Sequence, residues 1–500
     1  MRKKPFFYDV TLRDGNQALK KPWNTAEKAI IFDQLIKLGV QGIEVGFANS
    51  SDMDFEACKY LADRAPDNVV ISGLARAVTS DIDKVAEAIK NAAKPRIHTF
   101  IAMNPLGLEY VLQKPLSKVK VLAADAVAHA KSILPAHGEV QFSVEHFGDC
   151  CENLDEVIDA LHEIVNAGAT VLNLPNTVER FRPMKFIDMV RKVREAMPKH
   201  VTIAVHCHND LGMASATTVE SYFAGAAQLE CSLNGLGERA GNTNMYEVAV
   251  CLHNSDVEVP LHMEHLYETA LLVSDMSGVP IWEKSPIIGY DALAHRSGIH
   301  QDGVVKTKHL SKGAYRAFDP ELIGRAGAEK LGFTSQSGKT AIYELINSTQ
   351  YKITMPEAVY LAPFAKLKAE KVGELSLETL LELYFAEICE VSGPFKLNDF
   401  TKISDEKFNV SFVRNGQEFE LVEKGTGPLD ACISALKKAE FPLELENYEQ
   451  HALEGSEKAR AMSILQFAHD GQHLTARAMN TSTTRANIQA VFNALNLIYK

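Results

Sequence analysis

Hydrophobic positions in the first half of the chain alternate between two periods. Short runs rich in β-branched and aromatic residues fall at about Phe6–Val10, Gly42–Val45, Val69–Leu74, Arg96–Ile101, Glu139–Glu145, Thr170–Leu174, Val201–Val205 and Gln228–Leu233. Between them apolar residues recur every three or four positions. This predicts helices over segments such as Thr25–Leu38, Ile82–Asn91, Ser117–Ile133, Leu154–Asn166 and Met184–Met197. Asn24 with Glu27 three residues later has the form of a capping box, and Gly39 stands where that helix should stop. Regular alternation of strand and helix implies a parallel sheet covered by helices. Eight strands, mostly about 30 residues apart, predict a (β/α)8 TIM barrel, a fold of typically ~250 residues. The rival, an open doubly wound sheet, wants a glycine-rich first turn, whereas this one reads Thr11-Leu12-Arg13-Asp14-Gly15-Asn16-Gln17.

Beyond Asn254 the alternation stops. Residues 255–390 read as mostly helical, including Pro356–Lys371 and Leu377–Glu390, with Ser376 at the N-cap of the second. Ser392-Gly393-Pro394 reads as a boundary. Past it, Phe408–Val413 and Glu418–Val422 predict a hairpin across Asn415-Gly416. A helix around Leu429–Lys438, strand material at Ala459–Ala468 and a last helix near Thr484–Tyr499 complete an α+β module. The expected organisation is a barrel over 1–275, a helical connector over 276–390 and the α+β module over 391–500.

Composition narrows the partners. With 46% apolar and 23% charged residues the chain is ordinary globular material. Lys+Arg of 52 against Asp+Glu of 64 gives a net charge of −12, which argues against nucleic acid as a partner. A local basic pocket for a small anion remains compatible with it. No apolar run approaches the ~18 residues of a membrane span. The basic start, Met1-Arg2-Lys3-Lys4, leads into no signal-type apolar core. Eight cysteines without CxxC spacing read as reduced thiols, and a cytoplasmic protein is expected.

Barrels gather functional groups at the C-terminal ends of their strands. Here those ends deliver Arg13 and Asp14, Glu44, Arg76, His98, Ser143 with Glu145, Asn173 with Asn176 and Thr177, and His206-Cys207-His208. The eighth leads into the loop Asn234–Asn242. His206 and His208 are the sharpest signal: positions i and i+2 of a strand face the same way, so both imidazoles can reach one divalent ion. Asp14 would complete the set; the alternative is two hydrogen-bonded barrel histidines. Arg13 suits polarising a carbonyl or holding a carboxylate, or is a plain salt-bridge partner. Glu145 suits a base or a substrate-orienting carboxylate. Ser337-Gly338-Lys339-Thr340 imitates a phosphate loop, but Phe333 stands where its first glycine is required.

These residues fall in longer motifs. Leu12-Arg13-Asp14-Gly15-Asn16-Gln17-Ala18-Leu19, Ile43–Phe47, Asn173-Leu174-Pro175 with Thr177-Val178-Glu179, His206–Asp210 and Gly237–Asn242 lie in the barrel region. Ser297–Gly303, Ser335–Lys339 and, more loosely, Gly425–Ala431 lie beyond it. In them the chain resembles the α-isopropylmalate synthases, among the Claisen-condensing barrel metalloenzymes that include homocitrate and citramalate synthases. The resemblance implies a divalent metal (Mg, Mn, Zn or Co) on Asp14, His206 and His208, with Asn242 as a nearby or further ligand. It implies Arg13 on the ketone of a 2-oxo acid, and His98, Ser143, Glu145, Asn173, Thr177 and Glu238 around that substrate. It also implies acetyl-CoA as co-substrate, His300 and Tyr315 delivered by the helical subdomain of a partner subunit, a homodimer, and a regulatory-type last domain with an amino-acid effector. The implied reaction condenses acetyl-CoA with 2-oxoisovalerate and then hydrolyses the thioester. Pyruvate, giving citramalate, is the nearest rival, and a hydroxyacyl-CoA lyase of the same barrel class is more distant. Departures from the family pattern stand at Ala48-Asn49, Ala102–Leu106, His146 and Ala476–Thr481.

Overall fold

The computed structural model describes residues 4–328, 330–453, 459–469 and 471–499; Met1–Lys3 of the basic start lie outside the described residues. The chain divides into two compact units, Met1–Leu293 with Phe318–Ala328, and Ala294–Ala317 with Glu329–Lys500.

In the first unit eight parallel strands close into a barrel in sequence order. They are β1 (Phe6–Asp9), β2 (Gly42–Glu44), β3 (Val70–Arg76), β4 (Pro95–Ala102), β5 (Glu139–Glu145), β6 (Val171–Asn176), β7 (Thr202–Cys207) and β8 (Gln228–Cys231). The helices are α1 (Thr25–Leu38), α2 (Asp52–Asp63), α3 (Thr79–Ile89), α4 (Leu116–Ile133), α5 (Leu154–Asn166), α6 (Pro183–Ala196), α7 (Ala214–Ala224), α8 (Met245–Asn254) and α9 (Leu266–Ser277). Helix α1 starts and stops as its sequence demands. Asn24 and Glu27 form the reciprocal capping box, and Gly39 ends the helix at φ 82°, where a side chain would be strained.

Period-two alternation assigns each strand residue a side. Ile43, Ile71, Ile97, Phe142, Leu172, Val205 and Leu229 face outward into the main hydrophobic core under the helices. Tyr8, Ser72, Arg96, Gln141, Asn173, Gln228 and Glu230 are buried and meet one another through hydrogen bonds. Branched aliphatic residues dominate the interior of many TIM barrels. This one is filled by a polar stack instead.

The second unit begins with a two-stranded parallel sheet, β9 (Ala294–His295) and β10 (Lys330–Leu331), and four helices: α10 (Gly298–Thr307), α11 (Lys339–Asn347), α12 (Met355–Val372) and α13 (Leu377–Tyr384). Ser376 caps α13 through Thr379 N–H. The expected helix to Glu390 instead stops at Tyr384 and finishes in a wide turn, Phe385–Cys389. Two three-stranded antiparallel sheets follow, β11 (Phe395–Ser404), β12 (Lys407–Arg414) and β13 (Gln417–Lys424), then β14 (Glu444–Ala452), β15 (Ala461–His469) and β16 (Gln472–Asn480). Helices α14 (Pro428–Lys438) and α15 (Thr483–Ile498) accompany them. Asn415 (φ 48°) and Gly416 (φ 86°) make the predicted hairpin turn, since both central residues need positive φ. Strands β11, β14 and β16 were not among the predicted elements. They lie at sheet edges, and β14 exposes most of its residues, so hydrophobic alternation is faint there.

Segments before and after Ser392 share a core: Leu453 and Met462 pack with Phe333, Ile342, Leu361 and Tyr384. The buried Arg477 of β16 donates to both carboxylate oxygens of Glu357 on α12, at 2.6 and 3.1 Å. Removing one partner strands the other charge in low dielectric. Arg477→Ala is therefore expected to cost about 3 kcal/mol in urea denaturation followed by circular dichroism. Among the described residues, no helix is long and apolar enough to cross a membrane.

Candidate functional site

At the C-terminal ends of the barrel strands lies a cavity of about 320 Å³. Strand β1 runs into a single wide helical turn, Thr11–Gly15, closed by Gly15 N–H to Val10 C=O at 3.1 Å. That turn aims two successive residues inward. Arg13 donates from Nε to Glu44 Oε2 at 2.5 Å and from Nη1 to Asp14 Oδ1 at 2.7 Å. Glu44, at the end of β2, also contacts His98 Nδ1 at 2.5 Å, and His98 Nε2 reaches Ser143 Oγ at 2.6 Å. Ser143 and Asn173 are paired in the β5–β6 register, which explains the Asn173 Nδ2 donation to Ser143 Oγ at 2.9 Å.

Asp14, His206 and His208 converge. His206 Nε2 lies 3.2 Å from His208 Nε2 and 3.6 Å from Asp14 Oδ2, and His208 Nε2 lies 4.0 Å from the same oxygen. All three are buried, with ligand atoms within 4.8 Å of one another. Asn242 places its amide nitrogen on Asp14 Oδ2 at 2.6 Å and on Leu236 C=O at 3.1 Å. Its Oδ1, like His208 Nδ1, is buried without a hydrogen-bond partner.

The electrostatics follow from charge and burial. Burial pushes the Asp14 carboxyl up, but Arg13 and the two imidazoles outweigh it and hold it well below the usual carboxylate range. Burial, reinforced by His206, pushes the His208 imidazole down to about 3, so the ring is neutral at neutral pH. Burial would also raise Glu44; Arg13 and His98 hold it down at about 2. Glu145 is raised by burial. One carboxylate and two imidazoles form a donor set suited to a first-row divalent cation, and two ring nitrogens 3.2 Å apart fit around one.

The cavity brings together Arg13, Asp14, His98, Ser143, Glu145, Asn173, Thr177, His206, His208 and Glu238, all singled out from the sequence. Asn242 stands behind Asp14 rather than on the cavity wall. His300 and Tyr315 belong to the second unit, where their rings stack at 4.1 Å. Gly303, one helical turn after His300 on α10, makes that stack possible: a Cβ there would meet the Tyr315 ring at 2.7 Å.

Several residues at the site were given no role from the sequence, some of them named only inside longer motifs. Glu230 lies on the inner face of β8 and touches His206 Nδ1 at 3.2 Å; its signal was the Gln228/Glu230 alternation along a strand otherwise apolar. Arg239, with φ 56°, ties three loops of the rim. It grips both oxygens of Asp210 at 2.6 and 3.0 Å and the Thr177 carbonyl at 2.8 Å. Thr177 Oγ1 in turn accepts from His146 N–H at 2.9 Å, next to Glu145. Phe47, Leu74, Phe100 and Pro175 supply an apolar wall.

An HMGL-like family model matches residues 4–273. Models described as the α-isopropylmalate synthase post-catalytic domain and the LeuA allosteric (dimerisation) domain match 291–347 and 374–499. The 2-isopropylmalate synthase 2 of Leptospira interrogans is 57% identical over 378 residues, covering 75% of this chain and 88% of that protein. The chain belongs to the 2-isopropylmalate synthase family. A second member, 2-isopropylmalate synthase from Dictyoglomus turgidum, is 34% identical over 505 residues, covering 99% of this chain and 98% of its own. Among solved structures, the HMG-CoA lyase of Brucella melitensis aligns with a TM-score of 0.48 at 20% identity, over 56% of this chain and 100% of that one.

Two outcomes are expected. Asp14→Asn should weaken Mn²⁺ binding to the metal-stripped protein, by calorimetry, beyond the ~10–100-fold that losing an outer hydrogen bond costs. Glu44 lies below its ordinary value of 4.5 in the fold, so the stability it lends is complete above about 4.5 and is lost as pH falls towards about 2. Glu44→Gln should flatten the acid limb of the curve of melting temperature against pH.

Proposed function

We propose that the chain condenses acetyl-CoA with 2-oxoisovalerate and hydrolyses the resulting thioester, giving 2-isopropylmalate on the way to leucine. In this reaction an acyl group becomes an alkyl group on transfer. The observation that carries the reading is the convergence of Asp14, His206 and His208 beside Arg13 in one cavity, within a chain of this family. Asp14, His206 and His208 would hold a divalent cation, with Asn242 as the further candidate, and the cation supplies a Lewis acid to the ketone and carboxylate of the 2-oxo acid.

Arg13 is fixed by Glu44 and Asp14, so its guanidinium meets the substrate without reorganising as negative charge grows on the ketone oxygen. His98, Ser143 and Asn173 form a hydrogen-bonded row along the cavity floor that suits carboxylate and hydroxyl groups. Phe47, Leu74 and Phe100 supply apolar surface for a branched side chain, which favours 2-oxoisovalerate over pyruvate. The raised carboxyl of Glu145 suits a base for the acetyl methyl group. The family resemblance assigns His300 and Tyr315, delivered from a partner subunit, to the same reaction, with His300 as the partner of Glu145 in proton transfer and Glu238 and Thr177 lining the substrate. The match to an allosteric (dimerisation) domain supports a homodimer with an amino-acid effector at the last domain.

Release of free CoA with a panel of 2-oxo acids, with and without EDTA, tests this. CoA release should be fastest with 2-oxoisovalerate and abolished by the chelator. The absence of CoA release with every 2-oxo acid tried, or release indifferent to EDTA, rules the reading out. Arg13→Ala should lower kcat by ~10²–10³. Unchanged turnover at saturating substrate in both Glu145→Gln and His300→Ala would remove those two from the chemistry.

A further inference from the structure

We propose that Glu230 is a positioning residue that fixes the tautomer of His206 and thereby sets the divalent-cation affinity of the Asp14–His206–His208 cluster. The inference rests on reading that cluster as a metal site. Glu230 is 1% exposed and both of its oxygens are used. Oε1 accepts from Gln141 Nε2 at 2.7 Å and Gln228 Nε2 at 3.1 Å. Oε2 accepts from Asn173 Nδ2 at 3.1 Å and lies 3.2 Å from His206 Nδ1. With both oxygens already accepting from amide N–H groups, Glu230 meets His206 as an acceptor, which places the ring proton on Nδ1. Its Nε2, facing His208 and Asp14, keeps the lone pair that a metal ligand needs.

The direction of these bonds is set from below. Arg96, 3% exposed on the inner face of β4, has donors only. Its Nη1 reaches Gln228 Oε1 at 2.7 Å and Gln141 Oε1 at 3.1 Å. Both amide oxygens therefore face Arg96, and both amide nitrogens are left to face Glu230. Donor-only Arg96 at one end and acceptor-only Glu230 at the other give the ladder one polarity, and His206 is its last rung. Strand register supplies the final step, since His206 and Glu230 are paired across β7 and β8.

Glu230→Gln keeps the shape and breaks the polarity. The glutamine oxygen must face the two amide nitrogens pinned by Arg96, which turns its own NH₂ towards His206 Nδ1 and moves the imidazole proton to Nε2. Asn173 can meet the new NH₂ by rotating its amide, whose Oδ1 has no hydrogen-bond partner, at the loss of its donation to Ser143 Oγ. Two measurements on the metal-stripped full chain test this. Titration calorimetry with Mn²⁺ should show affinity lowered ~10–100-fold in Glu230→Gln, with the melting profile confirming a folded protein. Nitrogen-15 imidazole shifts should show His206 as the Nδ1–H tautomer in the wild type and Nε2–H in the variant. Equal Mn²⁺ affinity in the two proteins overturns the proposal, as does an Nε2–H tautomer in the wild type, a result that stands even if the variant does not fold. Failure of the wild type to bind Mn²⁺ overturns the metal reading itself and this inference with it.

Discussion

Carboxylates buried where water cannot reach them must find donors on neighbouring strands, and the barrel is organised around that constraint. Glu44 and Glu230 are fully buried. Glu44 is satisfied by Arg13 and His98, Glu230 by two glutamines, an asparagine and a histidine. Every partner except Gln228 comes from a strand or strand end other than the carboxylate's own, so closing the barrel brings these charges and their donors together. The side chains at the cavity are held in place by this second layer of acceptors, and Arg13, His98 and His206 each owe their orientation to it. Preorganisation of this kind lets a site meet a growing charge without rearranging.

The two units differ in how they achieve rigidity. The barrel spends buried charge beneath its cavity and leaves the outward faces of its strands to Ile, Val, Leu and Phe under the helices. The second unit is held by small clusters, with the Arg477–Glu357 pair joining a sheet edge to a helix. The His300–Tyr315 stack, made room for by Gly303, is a local product of α10 and the turn that follows.

Much of the barrel was legible in the sequence because period and position decide it. Helices α1 and α5 begin and end where the pattern places them, and the eight strands differ from their expected bounds by a few residues. Asp14, His206 and His208 were legible because strand spacing and strand-end position are both one-dimensional facts. Glu230 was not, because its meaning depends on which strand closes against β7 and in what register. Arg239 and Asp210 were read only as parts of longer motifs, since a rim brace is a relation among three loops. Edge strands β11 and β14 were missed because exposure dilutes the alternation that marks a strand, and β16 because its buried centre, Ala476-Arg477-Ala478, holds small and charged residues rather than β-branched ones.

The polar interior also bears on how such a barrel can change over generations. An aliphatic interior tolerates swaps of similar volume one at a time. A ladder with a donor-only foot and an acceptor-only upper rung does not, because reversing one amide leaves two like groups facing each other across the next bond. Viable replacements at Arg96, Gln141, Gln228 and Glu230 should therefore arise as matched sets, whereas Val140, Leu172 or Leu229 on the outer face can drift singly. The inner face is inherited as a sentence, the outer as a vocabulary.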